Sequence, residues 1–393
     1  MTKVSIIIPT RNRAHLLHFA IKSAIEQEYK DIEIIVCDNY STNDTKETVK
    51  SFNNKNIIYI RTDKALSMPD NWEFALSQAR GEYITFLTDD SYLLPNCIEL
   101  AMKDMDKFNV RLAVWKHCGY FYPDWIEPGR RNVLHTPKTT YKSYLLNSKE
   151  SLQKCYTNIR AHAYLMPRSM NSLCHRSIIE KVLSIQGRFF LPSCPDYSSG
   201  ASMLLNIGKY VLIDQPLVVD GVTSLSIGPS VSFNFGKSIQ NFLKESNWEL
   251  DEIAFLGIPT ASAAIAKSLE NVRSFYLDSC PKLNVKNVLC EIADSLSKLE
   301  TYGAKTNLND YWQILNKYVA AQDNEIKLAV KKQKIISKLK WMAIKTIRFL
   351  PYLYYLETLR NVDILKGSKF KFNNIEEAAK IVGLRNRSKN LEE

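Results

Sequence analysis

Two adjacent carboxylates, Asp89 and Asp90, arrive directly after an apolar run, Tyr83-Ile84-Thr85-Phe86-Leu87, with Thr88 leading them and Pro95 a few residues on. Acids at the end of a buried strand are costly to hold unless positive charge sits against them, and a divalent cation carrying a diphosphate is the usual occupant. Either acid could instead cap the helix that follows. Rival chemistries have less support. The six histidines are scattered without zinc-ligand spacing, and the eight cysteines never fall as Cys-x-x-Cys, which reads as buried thiols of a reducing compartment.

The elements that must position these acids begin with Val4-Ser5-Ile6-Ile7-Ile8, a nearly continuous β-branched run closed by Pro9-Thr10. Such a run predicts a strand buried on both faces, as in parallel sheets. Leu17, Ala20, Ile21 and Ala24 then recur at helical spacing, and Ile32 to Cys37 predicts a second strand ending in the polar turn Asp38-Asn39-Tyr40-Ser41-Thr42. A helix over 47–52, a strand over 57–60, a helix over 71–79 and a strand over 83–87 complete the βαβ pattern. In an open α/β sheet the ligand sits at the carboxyl ends of the strands, where Thr10, Asp38 and Asp90 all fall.

Four ordered elements carry a resemblance to the family 2 glycosyltransferases: Val4 to Arg13, the turn Asp38 to Thr42 as a variant of Asp-Asp-Gly-Ser-Thr, Asn71-Trp72 with Ala79 to Ile84, and Thr88-Asp89-Asp90 as the Asp-x-Asp motif. The resemblance implies an α/β chain: a GT-A nucleotide-binding sheet with helices on both faces, followed by a C-terminal helical region. It further implies that Thr10 and Asp38 contact the nucleotide, that Arg13 holds their loop, and that Asn71 and Asp89 serve the donor. Asp90 would bind Mg²⁺ or Mn²⁺ on the diphosphate. Thr10 and Asp38 could also simply cap the helices after them. Asp70 stands where many relatives carry an arginine facing the diphosphate.

An inverting transfer of this kind also needs a base for the acceptor hydroxyl. The resemblance assigns Asp196, in a loop with two prolines ahead of a helix expected over 201–206 and a strand over 209–214, with Asp124 and Glu127 as fallbacks. An N-cap is the plainer role for Asp196. The loop Met166 to Ser172 is expected to face the acceptor. A sugar-1-phosphate nucleotidyltransferase is set aside, because Pro9-Thr10-Arg11-Asn12-Arg13 contains no glycine.

The rest of the chain changes character after Gly228-Pro229-Ser230. The expected division is a catalytic domain over 1–230 (a nucleotide-sugar half, 1–100, and an acceptor half, 101–230), a helical subdomain over 231–326, and a basic amphipathic tail over 327–393. From Lys327 onward there are sixteen Lys and Arg against six Asp and Glu, a surplus of ten out of the formal +11. Lys334, Lys338, Lys345 and Arg348 share a helical face with Trp341, beside Ile335, Leu339, Met342 and Phe349, which suits an interfacial helix on anionic lipid. Packing on the helical subdomain or on a second copy is the alternative.

The expected function is therefore glycosyl transfer from a nucleotide-sugar, with a UDP-sugar the favoured donor, to a glycan or lipid-linked acceptor in surface polysaccharide synthesis. A non-catalytic sugar-nucleotide-binding or scaffold protein is the rival. No nucleic acid partner is expected, and oligomerisation is left open. The first strand begins almost at once, which predicts no signal peptide and a cytoplasmic chain, peripheral on the inner membrane face.

Overall fold

The computed structural model describes residues 3–125, 128–224, 226, 243–244, 248–303, 308–347 and 362–390. The opening β-branched run forms β1 (Val4–Thr10), buried along its whole length. β1 pairs in parallel with β2 (Ile32–Asp38) and β4 (Tyr83–Phe86), and β2 pairs in parallel with β3 (Ile57–Arg61). Alternation sends Ile7 and Ile35 into the core on one face of the sheet and Ile6, Ile8, Ile34 and Val36 into the core on the other. The crossovers are α1 (Ala14–Ile25), α2 (Thr45–Ser51) and α3 (Met68–Ser77). α3 starts earlier than expected because Ser67 caps it, its side chain accepting from the Asp70 amide, and Pro69 fits the first turn.

The second half supplies β5 (Tyr92–Leu93), α4 (Cys97–Phe108), β6 (Leu112–Phe121), β7 (Val133–Pro137), β8 (Ser143–Asn147), α5 (Ser148–Thr157), α6 (Ile159–His162), β9 (Ser172–His175), α7 (Arg176–Gln186), α8 (Pro195–Leu205) and β10 (Lys209–Val222). β10 runs past the expected Asp214 and pairs in parallel with β6, with register shifts around Pro216, where the missing N–H breaks the ladder. Near its end Gly221 is obligatory: a Cβ there would lie 1.9 Å from the Asp90 carbonyl oxygen. This close approach ties the last turn of β10 to the acid pair.

Beyond β10 come α9 (Leu250–Ile253), α10 (Ala261–Phe275), α11 (Val285–Thr301), α12 (Leu308–Ala320) and α13 (Asn324–Ile347). Ala263, Ala266, Leu289, Ile292, Leu296, Leu315 and Val330 form their shared core, while Leu269 and Val272 of α10 join the core of the sheet layer. The expected boundary at 230–231 lies outside the described residues.

The expected boundary at 327 is not one the backbone makes, because that residue falls inside α13. Ser337 and the Trp341 indole both donate to Asp294 of α11, at 2.6 and 3.1 Å. The Lys334 ammonium sits 3.9 Å over the Trp312 ring, and Lys345 donates to the Thr301 carbonyl at 2.8 Å. The face carrying Lys334, Trp341 and Lys345 is therefore turned onto α11 and α12, while Leu328, Ile335, Ile336, Leu339 and Met342 are exposed. Arg348 and Phe349 lie outside the described residues.

The chain then returns to the sheet. β11 (Val362–Lys366) pairs antiparallel with β7, followed by α14 (Gly367–Phe370) and α15 (Ile375–Asn390). Phe372, Ile375, Ala378 and Val382 pack with Tyr120, Leu134 and Leu365. The main path through the eleven-stranded sheet runs β11-β7-β6-β9-β4-β1-β2-β3. No helix among the described residues is long and apolar enough to cross a membrane.

Candidate active site

Parallel pairing sets Thr10 opposite Asp38 at the carboxyl edge, and the turn after β4 brings the acid pair to the same edge. Thr10 Oγ1 donates to Asp89 Oδ2 at 2.8 Å, and Arg13 Nη1 reaches Asp89 Oδ1 at 3.2 Å and Asp90 Oδ2 at 3.4 Å. Ser226 Oγ donates to Asp90 Oδ2 at 3.0 Å. Burial, then the neighbouring Asp89, push the Asp90 carboxyl up to about 6, against the pull of Arg13, Thr88 and Ser226. Burial disfavours the charge on Arg13, but Asp89 and Asp90 outweigh it and hold the guanidinium protonated. Two carboxylates thus share one guanidinium among the described residues, leaving a negative charge to be met. Among the described residues no third His, Cys, Asp or Glu joins them in a metal-holding group.

Asp38 is fully buried and fully engaged. Its Oδ1 accepts from the Ser41 amide at 2.8 Å, and its Oδ2 accepts from the Tyr59 hydroxyl at 2.6 Å and Arg61 Nη1 at 2.9 Å. Its observed work is to shape the turn after β2. Asn39, where a second acid is common in the resemblance, clasps the Leu66 backbone through both ends of its amide, at 2.9 and 2.8 Å. Asn71 is buried and takes the Cys37 thiol at 3.3 Å, tying α3 to β2. Asp70 does not leave its edge without an arginine: Arg188 Nη2 donates to it at 2.8 Å from the loop after α7.

Asp196 lies inside the first turn of α8, which begins at Pro195 with Cys194 as its N-cap, so Asp196 is not the cap. Arg168 Nη1 approaches Asp196 Oδ2 at 3.9 Å, and its guanidinium stacks over the Tyr197 ring at 5.9 Å. Burial raises the Asp196 carboxyl above its ordinary value, with Arg168 pulling the other way. Arg168 Nη2 is 2.8 Å from His117 Nδ1, and the same nitrogen is 3.0 Å from Asp220 Oδ2. Unprotonated, Nδ1 accepts from Arg168; protonated, it donates to Asp220. Burial works against the Asp220 charge, but His117, Arg168 and Ser91 hold it ionised below its ordinary value. Ser91, which follows Asp90 in the chain and shares a hydrogen bond with Thr88, also bonds Asp220, so the turn that carries the acid pair touches the Asp196 cluster. Asp124 accepts from the Ser224 amide and hydroxyl at 3.1 and 2.6 Å, and Glu127 lies outside the described residues.

Residues 5–173 match the family described as "Glycosyl transferase family 2". Over these residues the chain is similar to the family 2 glycosyltransferases. A Campylobacter jejuni relative, "GalNAc(5)-diNAcBac-PP-undecaprenol beta-1,3-glucosyltransferase", is 42% identical over 106 residues, covering 26% of this chain and 34% of its own. An Escherichia coli relative, "UDP-Glc:alpha-D-GlcNAc-diphosphoundecaprenol beta-1,3-glucosyltransferase", is 38% identical over 92 residues, 23% of this chain and 37% of its own. The chain thus spans about a third of the length of these relatives. Among solved structures, TarS of S. aureus superposes with a TM-score of 0.52 at 15% identity, over 87% of this chain and 55% of its own, which shows a shared GT-A fold.

The family match ends before Asp196, and the three residues around that acid were not singled out by sequence. The loop Met166 to Ser172 does deliver Arg168 to it. His117 and Asp220 lie on β6 and β10, and only the pairing of those strands brings them together.

Proposed function

We propose that the chain is an inverting glycosyltransferase that moves a sugar from a UDP-sugar to a hydroxyl of a lipid-linked glycan in surface polysaccharide synthesis, such as a capsule or O-antigen. The observation that carries this reading is a buried acid pair at the strand ends, Asp89 with Asp90 over Arg13, together with a second, half-buried acid, Asp196, held beside Arg168. The names of both relatives include an undecaprenol diphosphate acceptor, and the second also names UDP-Glc as donor.

Mg²⁺ or Mn²⁺ fits the acid pair, because both offer hard oxygen donors and their combined charge exceeds what Arg13 cancels. Asp90 would hold the ion, and Asp89 the ribose or the ion's waters. When bound, such an ion neutralises charge developing on the departing diphosphate. Thr10 and Arg13 fix the direction of Asp89. Asp38 holds the turn that receives base and ribose, and Asn71 supports it from beneath. Asp196 accepts the proton of the acceptor hydroxyl as that oxygen attacks from the side opposite the leaving group. Arg168 keeps Asp196 ionised until then.

A lipid-linked acceptor places the work at the cytoplasmic membrane face. Leu328, Ile335, Leu339 and Met342 form an exposed apolar stripe on α13, and Lys331, Lys332 and Lys338 beside it are exposed, a combination that supports shallow binding to anionic lipid. The test is UDP release from a panel of UDP-sugars, with and without Mn²⁺ and undecaprenyl-diphosphate-linked GlcNAc or GalNAc. Mn²⁺-dependent release stimulated by a lipid-linked acceptor is expected. Binding of no UDP-sugar at all would overturn the reading.

A further inference from the structure

Beside α8 lies a cavity, formed where the helical subdomain meets the sheet layer, and neither acid of the pair lines it. Its volume is about 300 Å³, with Tyr197, Arg160, Glu291, Asp294, Lys298 and Trp341 in its walls. That is the lower end of the range in which small ligands are buried, about 300–1,000 Å³.

The walls are pre-set by contacts of their own. Asp294 accepts from Arg160 Nη1 at 2.9 Å and from Ser337 Oγ at 2.6 Å. It also anchors the Trp341 indole through Nε1 at 3.1 Å, while the Lys298 ammonium lies 5.2 Å from that ring's centroid. Burial opposes the charge on Asp294, yet Ser337 and Arg160 hold the carboxyl below its ordinary value, so it remains an acceptor. Burial pushes the Tyr197 phenol up to about 12, so it keeps its proton at neutral pH and can donate.

The charge balance decides the class of ligand. Arg160 and Lys298 cancel Glu291 and Asp294, so the cavity lacks the positive surplus that a phosphate or nucleotide requires. Four charged groups also make poor walls for an acyl chain. Two aromatic rings, each already meeting a cation (Lys298 and Lys340 on Trp341, Arg168 on Tyr197), stand among paired donors and acceptors, and such a wall of apolar ring surface with hydrogen-bonding groups of both kinds suits a neutral polyhydroxylated ring. Tyr197 adjoins Asp196 in the first turn of α8, so one wall of the cavity and the acid assigned as base share that turn.

We propose that this cavity is a saccharide subsite, holding a neutral sugar unit of the acceptor other than the one that carries the attacking hydroxyl; its role as an acceptor subsite rests on the glycosyltransferase reading above. It accounts for why α13 is fastened to α11 through Asp294 and Trp341, a polar contact that packing alone does not require.

Saturation-transfer NMR on the full chain tests it, with chitotriose, cellotriose and GalNAc as probes in the presence of saturating UDP. At least one probe is expected to bind while UDP is bound. Trp341→Leu keeps apolar bulk but removes the ring, and Ala261→Trp fills the cavity from its exposed rim without removing a packing contact. Each should weaken the saccharide about tenfold or more and leave UDP affinity unchanged. Binding of none of the probes, full displacement by UDP, or wild-type affinity in both variants would overturn the subsite. If saccharide binding depends on Trp341 while UDP never binds, the cavity stands as a sugar site and the glycosyltransferase reading falls.

Discussion

Arg168 Nη1 stands 3.9 Å from Asp196 Oδ2, and the guanidinium that makes this approach has its Nε buried without a hydrogen-bond partner among the described residues. A cation so committed acts on the acid beside it. Burial raises the Asp196 carboxyl and Arg168 lowers it, so removing the cation leaves burial less opposed. Arg168→Gln should therefore move the acidic limb of the kcat/KM profile to higher pH, and Arg168→Lys should move it part of the way back. A limb that stays put, or moves to lower pH, would mean that Arg168 only packs.

Asp196→Asn keeps size and hydrogen bonding but removes basicity. UDP-sugar binding is expected to survive, with transfer reduced by about 10²–10⁴. Single-turnover transfer with the substrates of the release assay reads this directly. Near wild-type transfer would shift the role to another acid, and Asp124→Asn is then the variant to measure.

Asp90 titrates within reach of ordinary buffers, its carboxyl being pushed up to about 6. Below that pH it is neutral and holds a cation poorly, so Mn²⁺-dependent UDP affinity, followed by calorimetry, should fall as pH drops through about 6. Stability without ligand runs the other way. The folded pKa lies above the ordinary value, so the contribution of this group is present below about 4 and is lost as pH rises through about 6. Asp90→Asn should thus abolish the Mn²⁺ dependence and yet raise the Tm at pH 7.5, by about 2–4 °C for each kcal/mol relieved. A lowered Tm together with retained Mn²⁺ dependence would refute the assignment.

Gly221→Ala sets a methyl group 1.9 Å from the Asp90 carbonyl oxygen, and backbone has little room to yield. A stability loss of about 1–3 kcal/mol is expected in urea unfolding, along with weaker Mn²⁺-dependent UDP binding. Gly208→Ala, where an added Cβ meets nothing within 4 Å, is the control and should leave UDP binding unchanged.

Membrane binding is best tested by point changes, because ending the chain near Asp323 would strip Val330, Ser337 and Trp341 from α13 and open the helical core. Leu339→Glu with Met342→Glu should reduce co-sedimentation with phosphatidylglycerol vesicles. Wild-type binding should weaken with salt, since each nearby lysine contributes about 1 kcal/mol. Binding that the double variant retains would remove the stripe from this role, and a salt-insensitive dimer lost in the variant would assign it to a second copy.

The nucleotide edge was legible because strand ends are. β1, β2 and β4 announce themselves by apolar runs, and Thr10, Asp38 and the acid pair follow those runs directly. Three-dimensional partnership was not legible. Arg61 and Tyr59 close over Asp38 from the next strand, and Tyr40, with φ 57°, takes a left-handed conformation in the turn that resembles Asp-Asp-Gly-Ser-Thr, at the place of its glycine. Charge along the basic tail does not tell which side of α13 turns inward. A small polar residue, Ser337, marks the inward side of α13 through its bond to Asp294, and nothing in local periodicity reveals that partner. β11 is a short strand in a lysine-rich segment, and only its pairing with β7 identifies it.

That late strand sets an order of events during synthesis. Asp90, Asp196 and Asp220 are all translated long before Leu365, Phe372 and Ile375, which cover Tyr120 and Leu134, and before Asn386, which donates to the Pro216 carbonyl of β10 at 2.8 Å. A nascent chain therefore carries every acid of the site while the edge of β7 and the apolar side of β6 are still open to water. Until α15 emerges from the ribosome, that bare edge is where a chaperone would bind or a neighbouring nascent chain would add a strand.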